Sequence, residues 1–242
     1  MNFDKNQIKQ NFSRAAEAYE HHSRVQRRVA RELVSRAGKV EGEVLDIGCG
    51  TGFIGQLLER EVVGLDLSLA MCAKNQTAVN ADAENLPFKD GAFDFAISSL
   101  TIQWVNDLQQ FANEAFRVLK TGGKFAFSSF TTGTLAELIT AFSFLDSDEH
   151  VIKFKPAMQM FAAFKRAGFG DIVINTQTIT YRHDDLFAVL NSIKSVGGGY
   201  QVAKGRGLKG KKYFETLGNI YLSKFGKEFP VTWQALYITG SK

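Results

Sequence analysis

The chain has 242 residues, 45% of them hydrophobic, and a net charge of +4, which allows one sizeable core but is short for two full domains. No run reaches the ~20 apolar residues of a membrane span, and the N-terminus lacks the apolar stretch of a signal peptide. Two cysteines, Cys49 and Cys72, make neither a disulfide framework nor a zinc pattern, so a cytoplasmic protein forming a single domain over 1–242 is expected.

Residues 5–37 read as helical: Ala15, Ala16, Tyr19, Val25, Val29, Leu33 and Val34 fall at helical spacing, and Gly38 stops the run. "EVLDIG" is a short buried strand, followed by a glycine turn and the helix "FIGQLLER". "VVGLDLS" is a second strand, with a helix starting near the N-cap Ser68. "TAVNADAENLPF" holds a weak third strand, and Asp90-Gly91 marks the turn into the fourth, "AFDFAISSLTIQWV". "DLQQFANEAFRVLK" is an amphipathic helix expected to end at Gly122-Gly123, ahead of a fifth strand, "KFAFSSF".

Strand and helix thus alternate through short connections, the pattern of an α/β fold with a doubly wound, mostly parallel sheet. Beyond residue 134 the pattern loosens. Helices at 134–145 and 156–167 precede the strand "DIVINTQTITYRH", and 184–228 reads as mostly helical. The last run, "VTWQALYITGSK", is expected to close an antiparallel hairpin at the sheet edge. The organisation predicted is an N-terminal helical segment (1–42), a cofactor-binding core (43–183), a helical substrate cap (184–228) and a final strand (229–242). Charge is uneven. Residues 201–227 hold seven basic residues and one acid, so this stretch carries +6 while the rest of the chain sums to −2. Such a patch suits an acidic partner.

The segment "VLDIGCGTGFIG" contains G-x-G-x-x-G as Gly50, Gly52 and Gly55. This is the dinucleotide fingerprint, opening a helix after a strand, with Asp66 at the end of the next strand. Asp46 argues against a dinucleotide. A pyrophosphate docks on the helix N-terminus because N–H groups and the helix dipole favour an anion there, and a carboxylate two residues before Gly48 would repel it. A cationic ligand reverses the sign. S-adenosylmethionine carries a sulfonium and an ammonium and no phosphate. Asp46 could attract the ammonium, Asp66 could accept from both ribose hydroxyls, and Asp82 could accept from the adenine amine. The glycines then serve close backbone approach and a tight turn.

The ordered set of D-x-G-x-G-x-G from Asp46, then Asp66, Asp82, "FDFAISS" and "NEAFRVLKTGG" resembles the class I S-adenosylmethionine-dependent methyltransferases over roughly residues 43–130. Thr121 stands where that family often has Pro. The resemblance implies a Rossmann-like fold with an N-terminal helical lid and a helical insertion before the last strand. It implies S-adenosyl-L-methionine as cofactor, with Asp46, Gly48, Cys49, Gly50, Asp66, Leu67, Met71, Asp82, Ala83 and Ser99 around it. Cys49 is expected to pack rather than to react, and Asp94 to be structural.

The stretch "NFSRAAEAYEHHSRVQ" narrows the resemblance. Phe12, Arg14, Ala15, Ala16, Tyr19, His22 and Gln26 match the pattern of the malonyl-[acyl-carrier protein] O-methyltransferases of biotin synthesis, and "SSLTIQWVNDL", "SIKSVGGGY" and "FPVTWQALYITG" agree with it. The acceptor implied is the free carboxylate of a malonyl thioester on acyl carrier protein. A carboxylate is ionised at pH 7, so no general base is needed. Tyr19, His22 and Gln103 are the candidates to orient it, with Trp104 as a wall. Arg14 and Arg182 could also fix it. Lys204, Arg206 and Lys209 could steer the acidic carrier protein. A nucleic-acid partner is disfavoured, since the patch is one loop and not a stripe with interleaved aromatics. The four histidines lack metal-site spacing, so no metal is expected. Another small-molecule or protein acceptor, or a cofactor-binding assembly factor without methyl transfer, remains open at the level of sequence.

Overall fold

The structure, a computed structural model, describes residues 3–16, 24–75, 77–193 and 210–242. Helix α1 (Lys5–Ala15) is capped by Asp4, whose carboxylate accepts from the N–H groups of Asn6 and Gln7. Helix α2 (Arg24–Ala37) buries Val25, Val29, Ala30 and Leu33 along one face. Both lie within the helix expected over 5–37; residues 17–23 are outside the described residues.

Next come β1 (Val44–Ile47), α3 (Phe53–Leu58), β2 (Val63–Asp66), a short α4 (Leu69–Cys72) capped by Ser68, and β3 (Ala78–Asn80). Strand β4 (Phe93–Ser99) leads through a 3-10 turn (Ile102–Trp104) to α5 (Leu108–Val118) and β5 (Leu119–Phe130). The remainder is α6 (Ala136–Ser143), α7 (Ala157–Ala167), β6 (Gly170–Arg182), α8 (Leu186–Ile193), α9 (Lys211–Phe225) and β7 (Pro230–Ser241).

The strands form one sheet in the order β3-β2-β1-β4-β5-β7-β6. The first five run parallel, while β7 pairs antiparallel with both β5 and β6. The C-terminal hairpin is therefore present as expected, with β6 at the edge and β7 wedged inside it.

One boundary differs from expectation. The glycine pair Gly122-Gly123 does not end α5. The helix stops at Val118 because Leu119 is already extended, and the glycines lie within β5. The register against β4 slips there, Phe93 facing Leu119 and Phe95 facing Lys124. Gly122 takes a φ of +78° in this bulge, a conformation that glycine adopts at little cost. Its N–H donates to the Lys242 carbonyl, and Lys242 returns a bond to Gly123.

Strand residues alternate between the two faces of the sheet, as the pleat requires. Val44, Phe95, Ile97, Ala126 and Phe130 join one core with α2, α6, α8 and α9. Leu45, Ile47, Ala96, Phe125 and Phe127 join the other with α5 and α7. Both faces are covered, which leaves the carboxyl ends of the parallel strands as the open rim.

Candidate active site

Strands β1 and β4 are adjacent in the sheet, and beyond them the chain order runs in opposite directions. Ligands of doubly wound sheets bind at such a switch point. The chain leaves β1 as the glycine loop. The N–H groups of Gly48 and Cys49 both donate to the Leu65 carbonyl, at 2.7 and 2.9 Å, which pins the loop to β2. Gly48 has a φ of +78°, and a β-carbon there would lie 1.9 Å from Thr101 Oγ1. Only glycine fits that position.

Two carboxylates sit behind the loop. Asp66, at the end of β2, accepts from the N–H of Gly50 at 3.0 Å and of Ser68 at 2.8 Å. Burial pushes its pKa up, and those two donors oppose the rise. Asp46 is 2% exposed, and its Oδ1 has no hydrogen-bond partner among the described residues. Burial, reinforced by the neighbouring Asp66 charge, raises its pKa to about 8. An unpartnered buried carboxyl is costly, and a cation is what would relieve it. On an observation of this chain alone, the site therefore fits a ligand with a positive end. Asp82, beyond β3, accepts from the N–H of Glu84 at 3.0 Å and pairs with Lys5.

That lysine belongs to α1, which closes over the cleft. Lys5 also reaches Glu84 at 2.9 Å. Phe3 and Phe12 pack on Trp104 with ring centroids 5.7 and 5.6 Å apart. Ser13 and Ser68 share a hydroxyl hydrogen bond of 2.9 Å. Ile8 and Phe12, four residues apart on one helix face, line the cleft from above. Leu67, Met71, Ala83, Ser99, Thr101 and Gln103 line it from the sheet side, and the space enclosed, mouth included, is about 840 Å³. Leu100 adopts a φ of +59° between β4 and the 3-10 turn, a conformation of the kind often held at functional sites.

Gln103 and Trp104 divide this cleft from a second, apolar chamber of about 580 Å³, mouth included, walled by Phe130, Leu138, Ile152, Ile193 and Trp233. Gln103 is held from behind, because the Phe130 N–H donates to its Oε1 at 3.2 Å. An N–H can only donate, so the oxygen identity is fixed and the Nε2 donors are on offer elsewhere. At one wall of the chamber His150 stacks on Phe142 and bonds Asp146 at 2.6 Å, and the Tyr213 hydroxyl donates to the same carboxylate at 2.8 Å. Ligand atoms of Asp146, Asp148 and His150 lie within 4.8 Å of one another; the bonds among them make a knot tying α9 to the segment after α6.

The structure thus brings Gly48, Gly50, Asp66, Leu67, Met71, Asp82, Ala83, Ser99, Gln103 and Trp104 to one cleft. Asp46 lies buried beneath it. Cys49 lines a small adjoining cavity, and burial drives its thiol pKa up, as suits a packing residue. Asp94 pairs with Lys120 at 2.7 Å and caps the Glu43 N–H, a structural role. Arg14 is exposed, and Arg182 is paired with Glu228 on the surface. Neither lines the cleft or the chamber, so the structure does not bring these two to the acceptor. Tyr19, His22, Lys204, Arg206 and Lys209 lie outside the described residues. Sequence reasoning missed Lys5, Ile8 and the cleft-facing position of Gln26. The helical spacing of Ile8 and Phe12 carried a signal; the salt bridge from Lys5 to Asp82 had none.

A family described as "Methyltransferase domain" matches residues 45–127. The malonyl-[acyl-carrier protein] O-methyltransferase of Gallionella capsiferriformans is 33% identical over 260 residues, covering 97% of this chain and 89% of that protein. The protein of the same name from Geobacter sulfurreducens is 31% identical over 265 residues, covering 99% of each. Among solved structures, the YcgJ protein of Bacillus subtilis is 18% identical with a TM-score of 0.64, covering 89% of this chain and 98% of that one. That likeness is one of fold.

Proposed function

The chain belongs to the malonyl-[acyl-carrier protein] O-methyltransferase family, and on that premise we propose that it methylates the free carboxylate of a malonyl thioester on acyl carrier protein, a step of biotin synthesis. It is an S-adenosylmethionine-dependent O-methyltransferase. The observation that carries the acceptor is the span of the likeness. The general methyltransferase match stops at residue 127, while the named relatives match 97–99% of the chain. They therefore include α1, α2 and the C-terminal elements that wall the apolar chamber.

The cofactor supplies an electrophilic methyl group on a cationic sulfur. In this reading Asp66 would take the ribose hydroxyls, Asp46 the ammonium, and Asp82 the adenine edge, with Leu67, Met71 and Ala83 as walls. Gly48, Gly50 and Ser99 let backbone and small side chains approach closely. Gln103 offers its Nε2 to the acceptor carboxylate, Trp104 closes one side, and Tyr19 and His22 are further candidates to orient it. No base is called for, because the carboxylate is ionised at neutral pH. What the chain contributes is alignment, which in favourable cases lowers a barrier by roughly 7–11 kcal/mol, and a water-poor chamber. Anion and cation are both neutralised along the reaction, so an apolar surround opposes the separated charges more than the transition state.

The basic segment holding Lys204, Arg206 and Lys209 is the proposed dock for the acidic carrier protein, continued by the exposed Lys211 and Lys212 at the start of α9. On this reading 1–242 is one methyltransferase domain with 184–228 as its substrate cap, and no nucleic acid is bound. Buried, unpaired Cys49 and Cys72 suit a reducing cytoplasm. Labelled S-adenosylmethionine tests the reading: label should appear on malonyl carrier protein and not on RNA or free malonate. An unlabelled malonyl carrier protein would overturn the acceptor.

A further inference from the structure

We infer that Gln26 couples the two halves of the site: its Oε1 accepts from the ammonium of the cofactor, and its Nε2 donates to the acceptor carboxylate. This rests on the cofactor and acceptor class proposed above. The acceptor seat is then complete only once the cofactor is in place, and binding is ordered.

Gln26 sits in the first turn of α2 and borders three spaces at once. It lines the cofactor cleft with Gly48, Gly50 and Gln103. It lines the apolar chamber with Gln103 and Trp104. It lines the small cavity beneath the glycine loop with Gly48, Cys49 and Gly50. Among the described residues no other borders all three. Its Oε1 is buried and makes no hydrogen bond among the described residues.

Among the described residues only two other side-chain atoms share that state, Asp46 Oδ1 and Arg60 Nε. The remaining guanidinium nitrogens of Arg60 hold the carbonyls of Val40 and Gly42, which do not line the cleft. The other two orphans are both oxygens: Asp46 Oδ1, two residues before Gly48, and Gln26 Oε1, on the lining of the cleft. Orphaned acceptors await donors, and a primary ammonium brings three. A carboxylate acceptor cannot satisfy Oε1, since it has no hydrogen to give. With Oε1 committed to the cation, the amide nitrogen is left for the chamber, which Gln103 also lines, its Oε1 already taken by the Phe130 N–H. An amide lying between an ammonium and a carboxylate, oxygen to one and nitrogen to the other, has its dipole aligned with both charges.

Two substitutions separate the two bonds. Gln26→Leu removes both; Gln26→Glu keeps an oxygen for the ammonium and replaces the donor with an anion. Calorimetry is run with S-adenosylhomocysteine and with 5′-methylthioadenosine, which lacks the amino-acid end. Gln26→Leu should weaken S-adenosylhomocysteine by about tenfold and leave methylthioadenosine within about twofold, which also shows that the variant is folded. Gln26→Glu should hold S-adenosylhomocysteine at least as tightly as the parent, yet lose roughly a hundredfold in kcat/KM for malonyl carrier protein. Equal loss of both ligands in Gln26→Leu, or no loss of either, overturns the ammonium contact. A kcat/KM for Gln26→Glu within about threefold of the parent overturns the acceptor contact. The binding arm uses no acceptor, so its result stands apart from whether the parent enzyme labels malonyl carrier protein.

Discussion

The nucleoside side of the cleft draws on residues 46–99, carried by successive strand ends of one sheet. The chamber beside it draws on Gln26, Gln103, Phe130, His150, Leu190 and Trp233, which come from across the chain. The first is held by backbone: Gly48, Cys49 and Gly50 are each tied by a main-chain N–H to β2. The second is held by side chains packing between helices and sheet. A backbone-built site tolerates little substitution but is set by local rules. A packing-built site depends on where remote elements meet, and there acceptor specificity can change without loss of the cofactor.

Replacing Asp66 should break the first side outright. Asp66→Ala removes the half-buried carboxylate proposed for the two ribose hydroxyls and should weaken S-adenosylhomocysteine by roughly a hundredfold or more in calorimetry. Gly48→Ala strikes the same side through the backbone. The new methyl group would meet Thr101 Oγ1 in a left-handed conformation, and the expected loss is about 1–3 kcal/mol of stability in denaturant unfolding.

On the other side, Gln103→Leu should lower kcat/KM for malonyl carrier protein by about tenfold to a hundredfold while the affinity for S-adenosylhomocysteine stays within about twofold. If cofactor affinity falls in step, the two halves are not separable at this residue. Charge neutralisation at Lys204, Arg206 and Lys209 should reduce kcat/KM on the carrier-bound thioester at low salt by about tenfold and leave the malonyl-coenzyme A rate nearly unchanged.

Asp46 gives the smallest effect and the most specific sign. Its folded pKa, about 8, lies above the ordinary carboxylate value, so ionisation costs the fold stability as pH rises from about 4 to about 8. Asp46→Asn should therefore raise the melting temperature of the ligand-free protein at pH 8 by a few degrees while weakening the cofactor. A melting temperature that falls would contradict the burial argument.

The same division explains what could be read from residues alone. The D-x-G-x-G-x-G run, Asp66 and Asp82 were legible because each stands at a strand end, where spacing fixes position. Gln103 and Trp104 were legible only through resemblance. Gln26 was part of a quoted pattern, but its lack of a partner emerges only when α2 is seen beside the glycine loop. The ending of α5 at Val118 was missed because Gly122-Gly123 looks like a helix stop. Its actual use is a bulge against Lys242, a contact across more than a hundred residues. Arg182 was a reasonable candidate by type and turned out to be paired with Glu228.

In the proposed site, acidic side chains gather around a ligand that carries positive charge. Calorimetry of S-adenosylhomocysteine and NADH on the parent protein and on Asp46→Asn tests it most directly. S-adenosylhomocysteine should bind and NADH should not. Its affinity should increase as the pH rises toward about 8 in the parent, since the ammonium needs Asp46 ionised, and that increase should vanish in Asp46→Asn. Binding of NADH in preference, or a pH dependence unchanged by the substitution, would contradict it.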